Sequence, residues 1–174
     1  MKKLIILRGP SGVGKSTVIK ELLLHFGKNV AYIPVAHTTY SLIPEEIEFA
    51  SDNLINLMHD NADDLVRNFL KANYTVLTDA IFYHKTNNKS RLDRLVKIGQ
   101  RNNAKIYVFD LEASLPTLLS RAKKRARPKD VSTDFALIKK KYITFSRNRY
   151  KNAIAVSTDN KSVKKIVEEI LSYV

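Results

Sequence analysis

The sequence of 174 residues contains no cysteine, which excludes disulfides and cysteine-based zinc sites. Its four histidines are scattered and lack the spacing of metal ligands: His25, His37, His59 and His84. The chain also lacks a run of about 18 apolar residues that could cross a membrane. Only four apolar residues separate Lys3 from Arg8 near the start. We therefore expect a cytoplasmic protein with neither a signal peptide nor a membrane anchor.

Acidic residues are scarce in the second half of the chain. Residues 85–174 contain 22 Lys and Arg against 8 Asp and Glu, a net charge of +14. Residues 1–84 contain 8 against 9, a net charge of −1, and the whole chain carries +13. A positive field of this size attracts polyanions, and nucleic acid is the obvious candidate partner. The alternative explanation is that the lysines only keep the protein soluble.

Short apolar runs alternate with amphipathic helical patterns along the chain. Strands are predicted at residues 4–7, 29–35, 74–78, 105–110 and 153–157. Helices are predicted at about residues 13–26, 43–59, 60–70, 90–102, 114–127 and 133–149, with a last helix from Ser162. This alternation predicts an α/β fold, in which a five-stranded parallel sheet is covered by helices on both faces. We expect a single domain over residues 1–174.

The clearest motif is Gly9-Pro-Ser-Gly-Val-Gly-Lys-Ser16, which fits the phosphate-loop pattern G-x-x-x-x-G-K-S/T between a strand and a helix. Its glycines let backbone N–H groups approach a phosphate closely, and Lys15 supplies a charge to the β- and γ-phosphates. The hydroxyl of Ser16 is a predicted ligand of Mg²⁺, and the N-terminus of the helix adds partial positive charge. The motif predicts a site for ATP and Mg²⁺, with GTP as the alternative nucleotide. The predicted nucleotide-binding residues are Gly9, Ser11, Gly12, Val13, Gly14, Lys15, Ser16 and Thr17.

Two acidic residues lie at the ends of predicted strands, Asp79 and Asp110. Asp79 ends the strand that should neighbour the phosphate loop, and we predict that it holds the magnesium ion through water. Asp79 is also a candidate general base. Asp110 is the weaker metal candidate, and the alternative is that it caps the start of the helix that follows.

A basic segment, Arg121-Ala-Lys-Lys-Arg-Ala-Arg127, lies at the end of the predicted helix that follows the fourth strand. Such a segment can close over the nucleotide and neutralise charge on the transferred phosphoryl group. We predict a lid at about residues 121–134, with an exposed and mobile centre. The alternative is a solvated helix end, where cations interact favourably with the helix dipole.

Together these motifs resemble the small P-loop kinases of the nucleoside-monophosphate-kinase type over almost the whole chain. The resemblance implies a three-layer P-loop NTPase fold with strand order 2-3-1-4-5, arginines after the fourth strand as the lid, and a loop after the fifth strand that packs on the base. By this resemblance the base-contacting loop falls near residues 157–160. The catalytic residues that we expect are Lys15, Asp79, Arg121, Arg125 and Arg127.

Two branches of that superfamily share further features with the chain. His37-Thr-Thr is similar to the Ser-His-Thr-Thr-Arg segment of guanylate kinase, but Tyr40 replaces the arginine and residues 36–60 contain no Lys or Arg. A site for the phosphate of GMP is therefore hard to assemble. The second branch is the polynucleotide kinase, zeta-toxin and chloramphenicol phosphotransferase group, which phosphorylates hydroxyls and usually has an Asp after strand 2 as general base. His37 stands near that place here and is the other candidate base.

The leading hypothesis is an ATP-dependent kinase that phosphorylates a hydroxyl group, with a polynucleotide or RNA end as the acceptor. It rests on the basic second half and on the helical spacing of four cations, Arg91, Arg94, Lys97 and Arg101. The expected acceptor-binding region is residues 36–60 and 80–100, with His37 and Arg91 as substrate-binding residues. The alternatives are a kinase for a nucleotide, metabolite or antibiotic, and a P-loop ATPase switch without an acceptor. The general base and the oligomeric state are left open.

Overall fold

The computed structural model describes residues 1–34, 51–80, 85–86, 89–125 and 135–174. Its strands are β1 (Lys3–Arg8), β2 (Val30–Pro34), β3 (Thr75–Ala80), β4 (Lys85–Thr86), β5 (Lys89–Ser90), β6 (Lys105–Glu112) and β7 (Ile154–Ser157). Five of them form one parallel sheet in the order β2-β3-β1-β6-β7, which is 2-3-1-4-5 along the chain. This order confirms the expected α/β fold of the P-loop kinase type. The short strands β4 and β5 form a separate antiparallel pair that the sequence analysis missed.

Six α-helices are present in the described part of the chain: α1 (Lys15–Phe26), α2 (Asp52–Lys71), α3 (Arg91–Arg101), α4 (Leu115–Arg125), α5 (Phe135–Arg147) and α6 (Val163–Leu171). Two of them begin after a serine that lies at the predicted start of the helix and caps it. The Ser114 hydroxyl accepts from the Thr117 N–H at 3.4 Å, and the Ser162 hydroxyl accepts from the Lys165 N–H at 3.3 Å. None of the described helices has the length and hydrophobicity needed to span a membrane.

The predicted break between two helices near residue 60 is wrong, because α2 runs without interruption for 20 residues. Its N-cap is Ser51, whose hydroxyl accepts from the Leu54 N–H at 3.3 Å. Asp60 does not cap a new helix, since its carboxylate pairs with Arg94. A buried apolar stripe with a spacing of four residues continues through the expected break: Met58, Ala62, Val66 and Leu70. The first part of the predicted helix, residues 43–50, lies outside the described residues.

Contacts divide the chain into two compact units, and the first comprises Met1–Ile6 and Gly27–Tyr107. Within it, β2 and β3 pair in parallel with a register that runs from Val30 and Thr75 to Pro34 and Asp79. Helix α3 is amphipathic and buries Leu92, Leu95, Ile98 and Gly99. These elements form the core of this unit.

The second unit comprises Leu7–Phe26 and Val108–Val174. Strands β6 and β7 pair in parallel from Phe109 and Ile154 to Glu112 and Ser157. Helix α6 buries Ile166, Val167 and Ile170. This unit contains the whole phosphate-loop motif and the described part of the predicted lid. The single-domain organisation stays a prediction.

In the first unit, Arg94 of α3 links two carboxylates of α2. Its guanidinium pairs with the exposed Asp60 and lies 2.7 Å from the carboxylate of Asp63, which is only 7% exposed. Burial raises the pKa of Asp63 to about 6, and the nearby Arg94 offsets only part of that effect. The folded state therefore holds a proton on Asp63 more tightly than the unfolded chain does.

We predict that Asp63→Asn removes a pH dependence of stability. An unfolded aspartate has a pKa of about 3.9, so the free energy of unfolding falls as the pH rises from about 4 through about 6, where folded Asp63 ionises. The change that the substitution makes in the free energy of unfolding should therefore be more stabilising at pH 7 than at pH 4, by on the order of 2–3 kcal/mol. Urea unfolding at both pH values measures this difference. The control is Asp64→Asn, which changes an exposed neighbour, and an equal effect of both substitutions would contradict the assignment.

Candidate active site

The phosphate loop joins β1 to α1, as the motif predicted. At Gly9 the backbone has φ +153°, and a Cβ there would lie 2.8 Å from both the carbonyl oxygen of Leu111 and Cγ1 of Val13. At Gly14 the backbone has φ +108°, which L side chains rarely adopt. The Val13 N–H donates to the Pro10 carbonyl at 3.3 Å and closes the loop. Glycine is thus required at position 9 by close contact and at position 14 by conformation.

Lys15 is the first residue of α1, and its side chain folds back over the loop. Its ammonium donates to the carbonyls of Gly9 at 2.8 Å and Pro10 at 3.2 Å. Ser16 and Thr17 follow in the first helical turn and are exposed. The first N–H groups of a helix have no carbonyl partner within the helix, so this turn is suited to an anion. The exposed hydroxyl of Ser16 is an oxygen ligand of the kind that Mg²⁺ prefers, so the donor chemistry fits the predicted metal role.

Arg121, the first arginine of the predicted lid, contacts the phosphate loop directly. Its Nη1 donates to the carbonyl of Val13 at 3.1 Å and to that of Gly12 at 3.5 Å. The same guanidinium donates to the hydroxyl of Thr158 at 3.1 Å and to its carbonyl at 2.9 Å. Arg121 therefore connects the phosphate loop to the segment after β7, which the resemblance assigned to the base. Of the other predicted lid arginines, Arg125 is the last residue of α4, and Arg127 lies outside the described residues with 126–134.

The segment after β7 is fixed by further hydrogen bonds within the second unit. Thr158 is 1% exposed, and its N–H donates to the carbonyl of Glu112 at 2.7 Å. The carboxylate of Asp159 accepts from the Ser114 N–H at 2.8 Å. Burial raises the pKa of Asp159, but hydrogen bonds from Ser114 and Thr117 and the charge of Arg121 outweigh it, and the pKa is lowered. These contacts hold residues 157–160 against the start of α4.

Asp79 lies on β3 in the first unit, near the carboxyl end of that strand. It is 7% exposed, and its Oδ1 accepts a hydrogen bond from the hydroxyl of Tyr32 at 2.8 Å. Burial and the charge of Asp79 raise the pKa of Tyr32 above its usual range, so this hydroxyl stays protonated and donates. Tyr32 was not among the site residues predicted from the sequence. The β2–β3 register would have revealed it. Asp79 pairs with Pro34 in that register, and Tyr32 lies two residues before Pro34 on the same strand. The magnesium and base roles of Asp79 stay predictions.

Asp110 is neither at the end of a strand nor the cap of a helix, so the helix-cap alternative is wrong. It lies within β6, two residues before its end, and Ser114 caps α4 instead. Its carboxylate is buried and lies 3.1 Å from Nη1 of Arg8, the last residue of β1. Burial raises the pKa of Asp110 and lowers that of Arg8, and the opposite charge of each partner offsets part of the shift. Arg8 was not among the site residues predicted from the sequence.

The predicted basic face of α3 is only partly available to a ligand. Arg91 is half-buried and donates to the side-chain carbonyl of Asn56 at 3.3 Å. Burial and the charge of Arg94 lower the pKa of Arg91 to about 10. Arg94 is exposed but pairs with carboxylates of α2, and the other exposed cations of this face are Lys97 and Arg101. The other predicted substrate residue, His37, lies outside the described residues.

Comparisons with known proteins agree with this geometry. The AAA_33 family, described as an AAA domain, matches residues 4–142. The chain is 25% identical over 184 residues to the guanylate kinase of Prochlorococcus marinus (strain MIT 9312), with 97% of each chain covered.

Three solved structures are similar at low sequence identity. A gluconokinase from Sinorhizobium meliloti 1021 has a TM-score of 0.67 and 19% identity, over 98% of this chain and 90% of that chain. The tunicamycin resistance protein of Deinococcus radiodurans has a TM-score of 0.66 and 16% identity, over 99% and 95%. A chain of the Pnkp1/Rnl/Hen1 RNA repair complex has a TM-score of 0.61 and 20% identity, over 84% of this chain and 45% of that chain. These similarities show the shared fold.

We predict that Gly9→Ala damages both the fold and nucleotide binding. Its new methyl group would lie 2.8 Å from the Leu111 carbonyl, a backbone atom that cannot turn away, so the loop must shift. The free energy of unfolding should fall by roughly 1–3 kcal/mol, as for other strained backbone positions. Thermal unfolding and titration with a fluorescent ATP analogue measure the two effects. The matched control is Gly27→Ala, which also changes a glycine with positive φ but has no neighbouring atom within 4 Å. Unaltered ATP binding in Gly9→Ala would contradict the prediction.

Proposed function

The chain belongs to the AAA_33 family of AAA domains, and we propose that it is an ATP-dependent kinase that transfers the γ-phosphate to a hydroxyl group. The family and the fold make it a kinase-like P-loop NTPase. The observation that carries the proposal is the placement of two cations on one phosphate loop. Lys15 lies on the carbonyls of Gly9 and Pro10, and Arg121 lies on those of Gly12 and Val13. A loop that presents both cations is suited to stabilise charge on a transferred phosphoryl group.

In the proposed reaction the residues of the chain bind the phosphates of ATP, neutralise the charge of the transferred group and deprotonate the acceptor hydroxyl. The loop N–H groups and the first turn of α1 bind the phosphates, and Lys15 exchanges its carbonyl partners for phosphate oxygens. Arg121, with Arg125 and Arg127 of the lid, stabilises the charge of the transferred group. Ser16 would hold Mg²⁺, which when bound neutralises phosphate charge, and the magnesium role of Asp79 stays a prediction. Asp79 is the preferred base for the acceptor hydroxyl because Tyr32 fixes one of its oxygens, and His37 is the alternative.

For the acceptor we propose a polynucleotide or RNA end. Helices α4 and α5 contain no Asp or Glu, so their cations have no acidic neighbour on the same helix. On α5, the outward residues Lys139, Lys140 and Arg147 are exposed. Such a surface suits a phosphate backbone, and the similarity to a chain of an RNA repair complex supports the proposal.

A hydroxylated small molecule is the second candidate acceptor, which the similarity to gluconokinase favours. The similarity to guanylate kinase favours a nucleoside monophosphate. That acceptor is harder to accommodate, because residues 36–60 contain no Lys or Arg for its phosphate. A switch that hydrolyses ATP without an acceptor is the remaining alternative.

We predict that Lys15→Ala abolishes phosphotransfer. The test uses γ-labelled ATP with Mg²⁺ and offers tRNA, 5′-hydroxyl oligonucleotides, nucleoside monophosphates and hydroxylated metabolites. The substitution removes the ammonium that would interact with the β- and γ-phosphates, and turnover should fall by at least about 100-fold. Label on a nucleic acid supports the proposed acceptor, label on a metabolite supports the second candidate, and free phosphate alone points to the ATPase switch. Full turnover by Lys15→Ala would mean that the phosphate site is wrongly assigned.

We predict that charge reversal on α5 weakens the binding of single-stranded RNA. The double substitution Lys139→Glu/Lys140→Glu should lower the affinity at least about tenfold at low salt and flatten its dependence on salt, since fewer counterions are released. Fluorescence anisotropy over a salt series measures both quantities. The control is Lys164→Glu/Lys165→Glu on α6, which makes the same change in net charge elsewhere. Equal losses in both variants would show that only net charge matters.

A further inference from the structure

Arg8 is a buried charged residue that the proposed reaction does not use. It is the residue before Gly9, and its side chain is 1% exposed. Nη1 lies 3.1 Å from the carboxylate of Asp110, and Nη2 donates to the carbonyl of Asn148 at 2.8 Å. The guanidinium carbon lies 5.3 Å from the ring centroid of Phe145 and 6.0 Å from that of Tyr150. The guanidinium is thus held by one ion pair, one hydrogen bond and two aromatic rings.

Most of these partners belong to one end of one helix. Phe145 lies in the last turn of α5, and Asn148 and Tyr150 follow that helix directly. The last carbonyls of a helix carry partial negative charge, which a guanidinium stabilises. Asp110 is itself tied to the same segment, because it accepts a hydrogen bond from the Tyr150 N–H. Arg8 therefore connects the carboxyl end of α5 to the first residue of the phosphate loop.

The next residue along the chain sets the shape of the loop. Gly9 packs against the carbonyl of Leu111, the residue after Asp110. Arg8 and Gly9 at the end of β1 therefore contact Asp110 and Leu111 of β6. The carbonyl of Gly9 accepts from the ammonium of Lys15 at 2.8 Å. A shift at Arg8 would therefore pass through Gly9 to the cation that binds phosphate.

Stability alone is a weak explanation for this ion pair. Replacement of a buried pair by apolar residues of similar size is often neutral or stabilising, whereas removal of one partner is strongly destabilising. A planar guanidinium that stacks on rings and serves two acceptors at once also cannot be replaced by an ammonium group.

We propose that Arg8 is a positioning residue of the phosphate loop, which holds Gly9 and Lys15 in place by tying them to the carboxyl end of α5. The activity readout of this inference rests on the proposed kinase function, and its structural readout does not.

The structural readout uses the scarcity of glycine in this chain. Only five glycines are present, Gly9, Gly12, Gly14, Gly27 and Gly99, so glycine-selective ¹⁵N labelling reports on the phosphate loop and on two sites outside it. Phe145→Leu removes one ring from the guanidinium and leaves the ion pair. We expect the Gly9 resonance to shift while those of Gly27 and Gly99 stay. An unshifted Gly9 resonance in a folded Phe145→Leu variant would overturn the proposal.

The activity readout compares Arg8→Met/Asp110→Leu, Arg8→Met and Arg8→Lys with the wild type. Arg8→Met should lower Tm because it leaves Asp110 unpaired, and the double variant should recover it. Turnover of ATP should stay at least about tenfold low in the double variant, with kcat falling more than KM rises, because misplaced groups mainly slow the chemical step. Arg8→Lys should restore turnover only in part. The control is Arg149→Met, which removes an exposed cation that pairs with Glu112 beyond the same helix end and should leave turnover unchanged.

The outcomes separate the two proposals. If the double variant recovers both Tm and wild-type turnover, Arg8 serves only the core and the inference is wrong. If the wild type turns over no more ATP than Lys15→Ala does, the kinase proposal fails, and the glycine resonances still decide the role of Arg8. They also decide it if the double variant does not fold.

Discussion

The contact between Gly9 and the Leu111 carbonyl is the constraint on which the candidate site depends. Because no side chain separates them, the chain can leave β1 and turn at once into the phosphate loop. The turn places Lys15 at the start of α1, with its ammonium over the loop, and leaves the carbonyls of Gly12 and Val13 to accept from Arg121. One close approach between backbones thus fixes where two cations lie. Their placement is the basis of the proposed phosphoryl transfer.

Charge is compensated differently in different parts of the chain. In the first unit, Arg94 pairs with two carboxylates of α2. The pKa of Asp63 stays raised because the effect of burial is larger than the opposite effect of the Arg94 charge. In the second unit, α4 and α5 have no acidic residue, so their exposed lysines add to one another at long range. Charged groups in ion pairs contribute to packing, whereas exposed lysines without an acidic neighbour on their helix attract anions that approach the surface. The net charge of the chain alone does not distinguish these two uses.

The parts predictable from the sequence are those that local spacing determines. The phosphate loop, α1 and the Ser114 cap depend on residues within a few positions of each other, and strand order came from the resemblance to P-loop kinases. The Arg8–Asp110 and Tyr32–Asp79 contacts join residues 102 and 47 positions apart, and no local pattern reports them. The false break near Asp60 has a similar cause. Asp60 is a residue type that often caps helices, but the distant Arg94 pairs with its carboxylate, and the apolar stripe continues past it.

The internal bonds of the phosphate loop also bear on which nucleotide it favours. Lys15 already donates to two carbonyls, so a ligand that takes all three donors of the ammonium replaces two charge-assisted hydrogen bonds, each with a net contribution of about 1.5–3 kcal/mol. A diphosphate offers the ammonium fewer oxygens than a triphosphate, and so it compensates this loss less completely. In the proposed kinase, the loop would therefore bind ATP in preference to ADP, because Lys15 must leave the carbonyls of Gly9 and Pro10 to bind either one. That difference favours release of the spent nucleotide, because the carbonyls of Gly9 and Pro10 are there to take the ammonium back.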